Sequence, residues 1–312
     1  MPCFHPLTAY QSSDGSISFT ERKGGDVVRS LSLPCGQCVG CRLERSRQWA
    51  MRCMHEASLY SRNCFITLTY NNEHLPSDKS LQYPDFQKFM KRLRKRFNGV
   101  DRSANPDSKD QYPIRFYMCG EYGETFGRPH YHACLFNFDF PDKTLYRRSP
   151  SGSLIYRSKA LEELWPFGFS SIGEVNFNSA AYVARYIMKK VTGHRSEEYY
   201  RSVDPDTGEI INRVPEFNKM SLKPGIGADW LARYKTDVYP HDYVIVNGKK
   251  VKPPRYYDNK YSAEFPDIWE DIEYNRFVDA QNRVDDNTPE RLAVKAELTR
   301  QRVSRLFRSL EV

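Results

Sequence analysis

The chain has 312 residues, with 47 basic and 39 acidic side chains for a net charge of +8, and 14% of its residues are aromatic. So many aromatic residues exclude an intrinsically disordered chain, and no segment reaches the roughly 18 consecutive apolar residues of a membrane-spanning helix. Residues 1–10 lack the basic and apolar regions of a secretory signal, so we expect a folded protein whose charge allows a polyanionic partner.

The N-terminal region combines an irregular segment with a cluster of cysteines. Residues 1–30 show no periodicity, and Cys35, Cys38 and Cys41 follow in a turn-rich stretch. Cysteines in a chain without a secretory signal favour free thiols or metal ligands over disulfides. The two-residue spacing resembles a zinc knuckle, which predicts either a structural zinc site or reduced thiols packed in a turn. The candidates for a fourth zinc ligand are Cys3, His5 and Cys53.

The middle of the chain predicts a helix, a buried strand and a second, strongly basic helix. Residues 42–60 have helical periodicity, and residues 64–70 are rich in β-branched and aromatic side chains. Residues 84–97 form an apolar stripe at helical spacing, with six bases on the other face. These bases are Lys88, Lys91, Arg92, Arg94, Lys95 and Arg96. We expect this face to contact a phosphate backbone or to be an ordinary solvated surface.

The next segments predict an antiparallel hairpin followed by a helix. The hairpin strands are residues 114–119 and 130–138, joined by a turn that contains glycine. A helix capped by Asn178 or Ser179 extends to Gly193. The other predicted elements are a loop over 139–157, a short helix over 160–165, a strand over 169–177, a hairpin around Asn247-Gly248 and a terminal helix over 288–310.

Two histidines in the segment 128–132 form a candidate metal site. His130 and His132 are two residues apart, so on a strand they point to the same face, and Pro129 is tolerated at the first strand position. Two imidazoles on one strand need only a third ligand to bind a divalent metal. The hairpin could bring Glu121 beside them, and Glu124 in the turn is the alternative. Histidines with this spacing are also common as simple polar residues at a strand edge.

A second candidate motif lies on the helix after residue 178. Tyr182, Tyr186 and Lys189 have the spacing of one helical face, flanked by Arg185 and Lys190 as candidate DNA contacts. A phenol, with a pKa of about 10, is a weak nucleophile at neutral pH. A metal held by imidazoles can polarise a phosphodiester for attack by the phenol, and a lysine can stabilise the negative charge that develops. The alternative is a pair of core aromatic residues in a chain with 21 tyrosines.

These motifs resemble those of HUH endonucleases, the rolling-circle replication initiators and relaxases. Residues 130–132 resemble the family's His-hydrophobic-His signature, 65–70 resemble its first strand motif, and 182–189 resemble its Tyr-x-x-x-Tyr-x-x-Lys motif. The chain is also similar to the initiators of gokushovirus-type microviruses, small single-stranded-DNA phages. The segments that carry this similarity are 34–42, 120–123, 128–133 and 172–175, and the resemblance covers about residues 1–195.

The resemblance implies an α+β fold, with helices packed on one side of an antiparallel sheet related to the RNA-recognition fold. It implies that His130 and His132 bind Mg²⁺ or Mn²⁺, with Glu121 as the preferred third ligand. Tyr182 and Tyr186 would be alternating nucleophiles, with Lys189 at the lysine of the motif. It further implies a nickase and strand transferase that forms a 5′-phosphotyrosine link at the replication origin.

The implied partners are single- and double-stranded origin DNA and, because the chain has no helicase motif, a host helicase and replication machinery in the host bacterial cytoplasm. We predict an N-terminal cysteine segment over 1–62, a nicking domain over 63–195 and an α-rich extension of open role over 196–312. The competing hypothesis is a non-catalytic DNA- or RNA-binding regulator that uses the basic helix 84–97.

Overall fold

The computed structural model contains two compact units. One combines the described residues up to Arg45 with those from Tyr261 to Arg305, and the other runs from Ser46 to Lys260. The residues that the structure describes are 3–20, 26–97, 113–123, 127–149, 152–185, 191, 195–203 and 208–305.

The described elements alternate between strands and helices along the chain. Numbered in chain order, the strands are β1 Leu7–Ser12, β2 Ile17–Ser18, β3 Val27–Leu33, β4 Asn63–Tyr70, β5 Arg115–Tyr122, β6 Pro129–Phe136, β7 Thr144–Arg148, β8 Leu154–Arg157, β9 Gly168–Gly173, β10 Arg201–Val203, β11 Ile210–Asn212, β12 Phe217–Met220, β13 Val244–Val246 and β14 Lys249–Val251. The helices are α1 Val39–Ala57, α2 Tyr83–Phe97, α3 Lys159–Leu164, α4 Phe177–Arg185, α5 Arg195–Tyr200, α6 Ala228–Val238, α7 Arg255–Glu264, α8 Pro266–Gln281 and α9 Pro289–Ser304.

The second unit is organised around one antiparallel sheet of seven strands, in the order β12-β5-β6-β4-β9-β8-β7. The three central strands β5, β6 and β4 are long and almost fully buried. Their apolar and β-branched side chains on both faces explain why they lie in the middle of the sheet. The predicted strands at 64–70, 114–119 and 130–138 are these three strands, and the α+β antiparallel fold class is confirmed.

Each face of the sheet is covered by helices, where the resemblance implies helices on one side. On one face, α2 and α3 pack against side chains such as Ile66 and Tyr131. On the other face, the part of α1 after Ser46 and α4 pack against side chains such as Phe65 and Phe136. Alternation along each strand sends neighbouring residues to opposite cores. The histidine motif therefore divides between the faces, with Tyr131 on the α2 side and the two histidines on the α4 side.

The two compact units divide the chain at residues other than the bounds of the three predicted segments, whose status as domains stays a prediction. The edge strand β12, which lies in the predicted C-terminal extension, pairs with β5 in the central sheet. Residues after Ser46, in the predicted N-terminal segment, contribute Ala50 and Cys53 to the same core. The pairing of β12 with β5 joins segments about a hundred residues apart, and a local sequence pattern does not predict such a pairing.

Other differences lie in short, exposed strands. Residues 1–30 are not wholly irregular, because β1, β2 and β3 form a small antiparallel sheet. The predicted loop at 139–157 contains the hairpin of β7 and β8. The hairpin at Asn247-Gly248 is confirmed as β13 and β14, with both turn residues at positive φ. None of the described helices is long and apolar enough to cross a membrane.

The C-terminal half of α1 is held within the second unit by buried polar contacts and by ring stacking. The Arg115 Nε atom on β5 lies 2.5 Å from a carboxylate oxygen of Glu56, whose other oxygen accepts from the backbone N–H of Gly227. The His55 ring stacks on Trp230 at 3.6 Å between centroids. Burial lowers the pKa of His55 to about 4. The fold therefore holds this imidazole in its neutral form.

Candidate active site

Two histidines lie on one face of β6, near the centre of the sheet. The ring centroids of His130 and His132 are 6.4 Å apart. His132 is 3% exposed, and His130 is half-buried. The pair is therefore held on a rigid strand, with one ring enclosed and the other reachable from solvent.

The neighbouring strand places a carboxylate beside this pair. Glu121 on β5 stands opposite His130 in the strand register. Its Oε1 atom lies 2.7 Å from the Nε2 atom of His132, and the side chain is almost completely buried. The hairpin thus brings Glu121 to the histidines as its predicted pairing requires, whereas Glu124 lies outside the described residues.

Two threonines on β4 orient the two imidazoles. The Oγ1 atom of Thr67 is 2.9 Å from Nδ1 of His132, and the Oγ1 atom of Thr69 is 3.0 Å from Nδ1 of His130. In the register of β4 and β6, Thr67 stands opposite His132 and Thr69 opposite His130. Each hydroxyl is hydrogen-bonded to Nδ1 of its histidine, so Nε2 is the nitrogen that a metal can bind. A hydrogen bond of this kind usually orients a metal-binding histidine.

Sequence analysis did not identify these threonines as part of the site. The available signal is the Thr-x-Thr spacing on a strand that lies next to a His-x-His strand. Because both spacings are two residues, antiparallel pairing aligns both hydroxyls with both rings.

Gly123 leaves room for the imidazole ring of His130. A Cβ atom on Gly123 would lie 2.5 Å from the Nε2 atom of His130, which is too close for any side chain. The backbone N–H of Gly123 donates to the carbonyl of Arg128, which closes the turn between β5 and β6. Any other residue at position 123 would therefore displace the imidazole of His130.

One of the two predicted tyrosines lies against the histidines. Tyr182 on α4 is 7% exposed, and its ring meets that of His132 edge-on at 5.1 Å between centroids. Phe65 on β4 packs beside both rings, stacked on His132 and edge-on to Tyr182. The structure thus brings Tyr182 together with His130, His132 and Glu121 on one face of the sheet.

Three other residues of the predicted site, Tyr186, Lys189 and Lys190, lie outside the described residues. Their roles therefore stay predictions. Arg185, the last described residue of α4, is half-buried, and its Nε atom donates to the carbonyl of Ala181 at 3.4 Å.

The position of α4 is fixed at both ends. Asn176 caps the helix, since its side-chain oxygen accepts from the backbone N–H of Ser179 and its own N–H donates to the Ser179 hydroxyl. This cap lies two residues before the predicted Asn178. Farther along, Ser46 donates to the carbonyl of Ala181, and Asn218 on β12 donates to the carbonyl of Val183. The tyrosine helix is therefore hydrogen-bonded to α1 and to the sheet edge.

The basic helix α2 lies on the opposite face of the sheet from the histidines. Lys88, Lys91 and Lys95 are exposed, and Lys88 lies 3.8 Å from Asp85. Arg92 instead donates two hydrogen bonds to the carbonyl of Leu164 at the end of α3. Arg94 and Arg96 are similarly engaged, with the carbonyl of Ile114 and the carboxylate of Glu163 respectively. Contact of the exposed lysines with DNA stays a prediction, and it would occur away from the histidine face.

An exposed aromatic ring and a groove border the site on its own face. Phe169 on β9 stands opposite Thr69 in the register, and it is 62% exposed. A groove open to solvent begins at Phe65 and Thr67 and continues along Ser171 and Glu174. The sequence predicts neither feature. The periodicity of a strand does not show that one of its aromatic side chains is exposed, and a groove depends on how distant segments pack.

The donor set suits a divalent metal. His130 and His132 offer two imidazole nitrogens and Glu121 a carboxylate oxygen, a combination that Mn²⁺ accepts and Mg²⁺ tolerates through its oxygen ligand. Adjacent ligand atoms around an octahedral ion are about 3 Å apart, close to the 2.7 Å between Nε2 of His132 and Oε1 of Glu121. His132 and Glu121 therefore have the spacing of two metal ligands beside a tyrosine, and His130, whose ring lies 6.4 Å from that of His132 between centroids, would be the third.

Comparison with known proteins indicates the class of protein to which the chain belongs. The protein-family model described as "Replication-associated protein ORF2/G2P" matches residues 63–191, which include the histidine pair, Glu121 and Tyr182.

Three relatives narrow the class further. The chain is 33% identical to replication-associated protein VP4 of Bdellovibrio phage phiMH2K, over 91% of this chain and 84% of the relative. It is 32% identical to replication-associated protein ORF2 of Spiroplasma virus 4, over 86% and 82%. It is 30% identical to replication-associated protein ORF4 of Chlamydia phage 1, over 73% and 53%. The chain belongs to the family of replication-associated proteins of microviruses, and no solved structure matches it.

Proposed function

We propose that this chain is a replication initiator that cuts one strand of phage origin DNA with a tyrosine hydroxyl and stays covalently attached to the 5′ phosphate. The observation that carries the proposal is the position of Tyr182, edge-on against His132 on the sheet face that also holds Glu121. Membership of a replication-associated family favours DNA as the substrate.

The reaction exchanges one phosphodiester for another. The phenolic oxygen forms a bond to phosphorus, the bond to the 3′ oxygen breaks, and the phenolic proton ends on the released 3′ hydroxyl. The products are a 5′-phosphotyrosine and a 3′ hydroxyl that can serve as a primer. Because the bond formed resembles the bond broken, the reverse attack by a 3′ hydroxyl can rejoin the strand without a nucleotide cofactor.

The residues around Tyr182 position and polarise the scissile phosphate. A divalent ion, when bound by His130, His132 and Glu121, would supply the positive charge that withdraws electrons from the non-bridging oxygens. Thr67 and Thr69 keep the Nε2 atoms available by holding both Nδ1 atoms. The hydrogen bonds from Ser46 and Asn218 hold α4 so that the tyrosine stays beside the histidines.

A second tyrosine would allow the replication cycle to close. Tyr186 follows Tyr182 by four residues, one helical turn, and Lys189 completes the same sequence motif. In this proposal the first tyrosine holds the 5′ end while the second cuts the regenerated origin. The displaced strand is then joined into a circle by its own 3′ hydroxyl.

The DNA strand would enter along the histidine face. Phe169 presents an exposed ring beside Thr69, where a base unstacked from its neighbours can stack. We place the activity in the infected host cell, with single- and double-stranded origin DNA as substrates and a host helicase opening the duplex.

Covalent adduct formation tests this proposal. Single-stranded oligonucleotides that tile the phage genome are labelled at the 3′ end, because the adduct retains the fragment on the 3′ side of the cut. With Mn²⁺ or Mg²⁺ we expect a labelled protein band that EDTA prevents. Tyr182→Phe and Tyr186→Phe are each expected to retain part of the cleavage, and the double variant none.

The same assay separates the proposal from the competing regulator hypothesis. A regulator would shift the oligonucleotide in a gel without forming an adduct that survives denaturation. Cleavage that persists in the double tyrosine variant would remove the tyrosines from the mechanism. No adduct with any tiled oligonucleotide and either metal would contradict the nickase proposal.

A further inference from the structure

Four cysteines of the first unit converge on one point. Cys3 precedes β1, Cys35 lies between β3 and α1, Cys38 is the residue before α1, and Cys41 lies in the first turn of that helix. Their four sulfur atoms all lie within 4.8 Å of one another, and those of Cys3 and Cys38 are 4.0 Å apart. The fourth member of the predicted cluster is thus Cys3, while Cys53 is buried in the core of the second unit.

This spread matches tetrahedral coordination by sulfur. With zinc–sulfur bonds of about 2.3 Å, the edges of a tetrahedron of four thiolates measure about 3.8 Å. A disulfide would join two sulfurs at about 2 Å and leave the others unexplained. A site with four protein ligands has no open position for a substrate, which is the arrangement of structural rather than catalytic zinc.

The backbone around the cluster is arranged to stabilise negative sulfur. The N–H group of Phe4 points to Sγ of Cys38 at 3.4 Å, that of Cys35 to Sγ of Cys3 at 3.3 Å, and that of Cys38 to Sγ of Cys35 at 3.3 Å. The carbonyl of Cys38 accepts from the N–H of Arg42, so this residue caps the start of α1. A helix N-terminus favours thiolate over thiol.

A turn that needs glycine closes the first pair of ligands. Gly36 has a φ of +73°, the left-handed region, between Cys35 and Cys38. The guanidinium of Arg45 donates to the carbonyl of Gly36 at 3.5 Å. This turn lets both sulfurs face the same centre from residues only three apart.

The surrounding sheet needs an additional source of stability. In β1, β2 and β3, Ala9 is the one residue that is fully buried, and side chains such as Leu7 and Val28 are exposed. A three-stranded sheet with so small a core gains little from apolar burial. A metal that links the segment before β1 to the loop after β3 would hold both ends of this sheet.

We propose that Cys3, Cys35, Cys38 and Cys41 bind one structural zinc ion that fastens the N-terminal sheet to the start of α1. The site is separate from the histidine pair and does not depend on the nicking proposal. Cys3 precedes the three-stranded sheet in the sequence and the other three ligands follow it. The ion therefore closes a loop of more than thirty residues.

Metal analysis of the full chain, purified with reductant and without chelator, tests the proposal. We expect about one tightly held zinc per chain in the wild type and in His130→Ala, which impairs the other candidate metal site. Cys3→Ser and Cys38→Ser should lose at least nine-tenths of this zinc. The matched control is Cys53→Ala, which replaces a buried cysteine of α1 outside the cluster and should keep the zinc.

X-ray absorption at the zinc edge on the wild type gives a second measurement that needs no variant to fold. Four sulfur scatterers at about 2.3 Å support the proposal, and a shell of mixed nitrogen and oxygen overturns it. Absence of stoichiometric zinc, zinc retained in Cys3→Ser, iron in its place, or two disulfides found by thiol titration under denaturing conditions would each overturn it as well.

Discussion

Replacing Thr67 by valine removes one hydroxyl and keeps nearly the same shape, so it tests what this residue does for His132. The two side chains are buried, and Oγ1 lies 2.9 Å from Nδ1. In the variant no water can replace the hydroxyl, and a buried polar atom that loses its partner costs about 1–3 kcal/mol. The imidazole relieves this cost by rotating or by placing its proton on Nε2, and either change blocks metal binding at that nitrogen.

The structure sets the size of the expected effect. A cost of about 1–3 kcal/mol corresponds to roughly 5–150-fold in an equilibrium constant, and loss of an orienting partner commonly weakens metal affinity or activity about 10–100-fold. We therefore expect Thr67→Val to raise the Mn²⁺ concentration for half-maximal adduct formation by about 10–100-fold. Thr69→Val should have a smaller effect, because His130 is half-buried and water can take the place of the hydroxyl.

The assay is a Mn²⁺ titration of adduct formation, with Thr67→Ser as the control that keeps the hydroxyl. Urea unfolding followed by circular dichroism establishes that each variant is folded at the assay temperature. The positioning role of Thr67 is refuted if folded Thr67→Val shows the wild-type Mn²⁺ dependence. It is also refuted if Thr69→Val is the more damaging of the two valine substitutions.

Three further predictions concern the space beside the His130 ring, the exposed ring of Phe169 and the pH dependence of the second unit's stability. Gly123→Ala should abolish adduct formation with little change in the unfolding midpoint, because its Cβ would displace the half-buried His130 ring; an active variant would contradict the required close approach. Phe169→Ala should weaken binding of single-stranded oligonucleotides by about 1–3 kcal/mol in fluorescence anisotropy, and Phe169→Trp should restore it; equal affinities would exclude base stacking there. Burial lowers the pKa of His55 from 6.5 to about 4. As the pH falls from 6.5 toward 4, the unfolded chain binds a proton at this ring that the folded chain does not, so the free energy of unfolding decreases. Urea unfolding at pH 7.5 and 5.0 should show a loss of about 2 kcal/mol that is absent in His55→Phe, and equal losses would contradict it.

The central strands and helices are predictable because their patterns are local. β4, β5 and β6 are rich in apolar, aromatic and β-branched residues, and α2 has an unbroken apolar stripe. The Asn247-Gly248 turn has a chemical preference for positive φ that specifies its hairpin. By contrast, β3 and β7 are mostly exposed and β1 has a single fully buried residue, so these strands carry no burial pattern from which a strand can be recognised.

The candidate site was only partly predictable, because several of its contacts depend on register between distant segments. His130, His132 and Glu121 belong to one hairpin, whose pairing follows from local sequence. Thr67 precedes its histidine by 65 residues and becomes relevant only once β4 pairs with β6. Cys3 is similarly separated by more than thirty residues from the other three sulfurs. Asn176 instead was missed locally, because the helix begins two residues earlier than its apolar pattern indicates.

The central claim is that the DNA becomes attached to Tyr182 on α4 or to Tyr186, four residues farther along the chain. The most direct measurement is mass spectrometric mapping of the adduct formed by the wild-type chain with Mn²⁺, after digestion of both protein and DNA. We predict that the residual nucleotide is carried on Tyr182 or Tyr186, and that Tyr182→Phe moves it to Tyr186. A nucleotide attached to any other residue, or to none, would contradict the account.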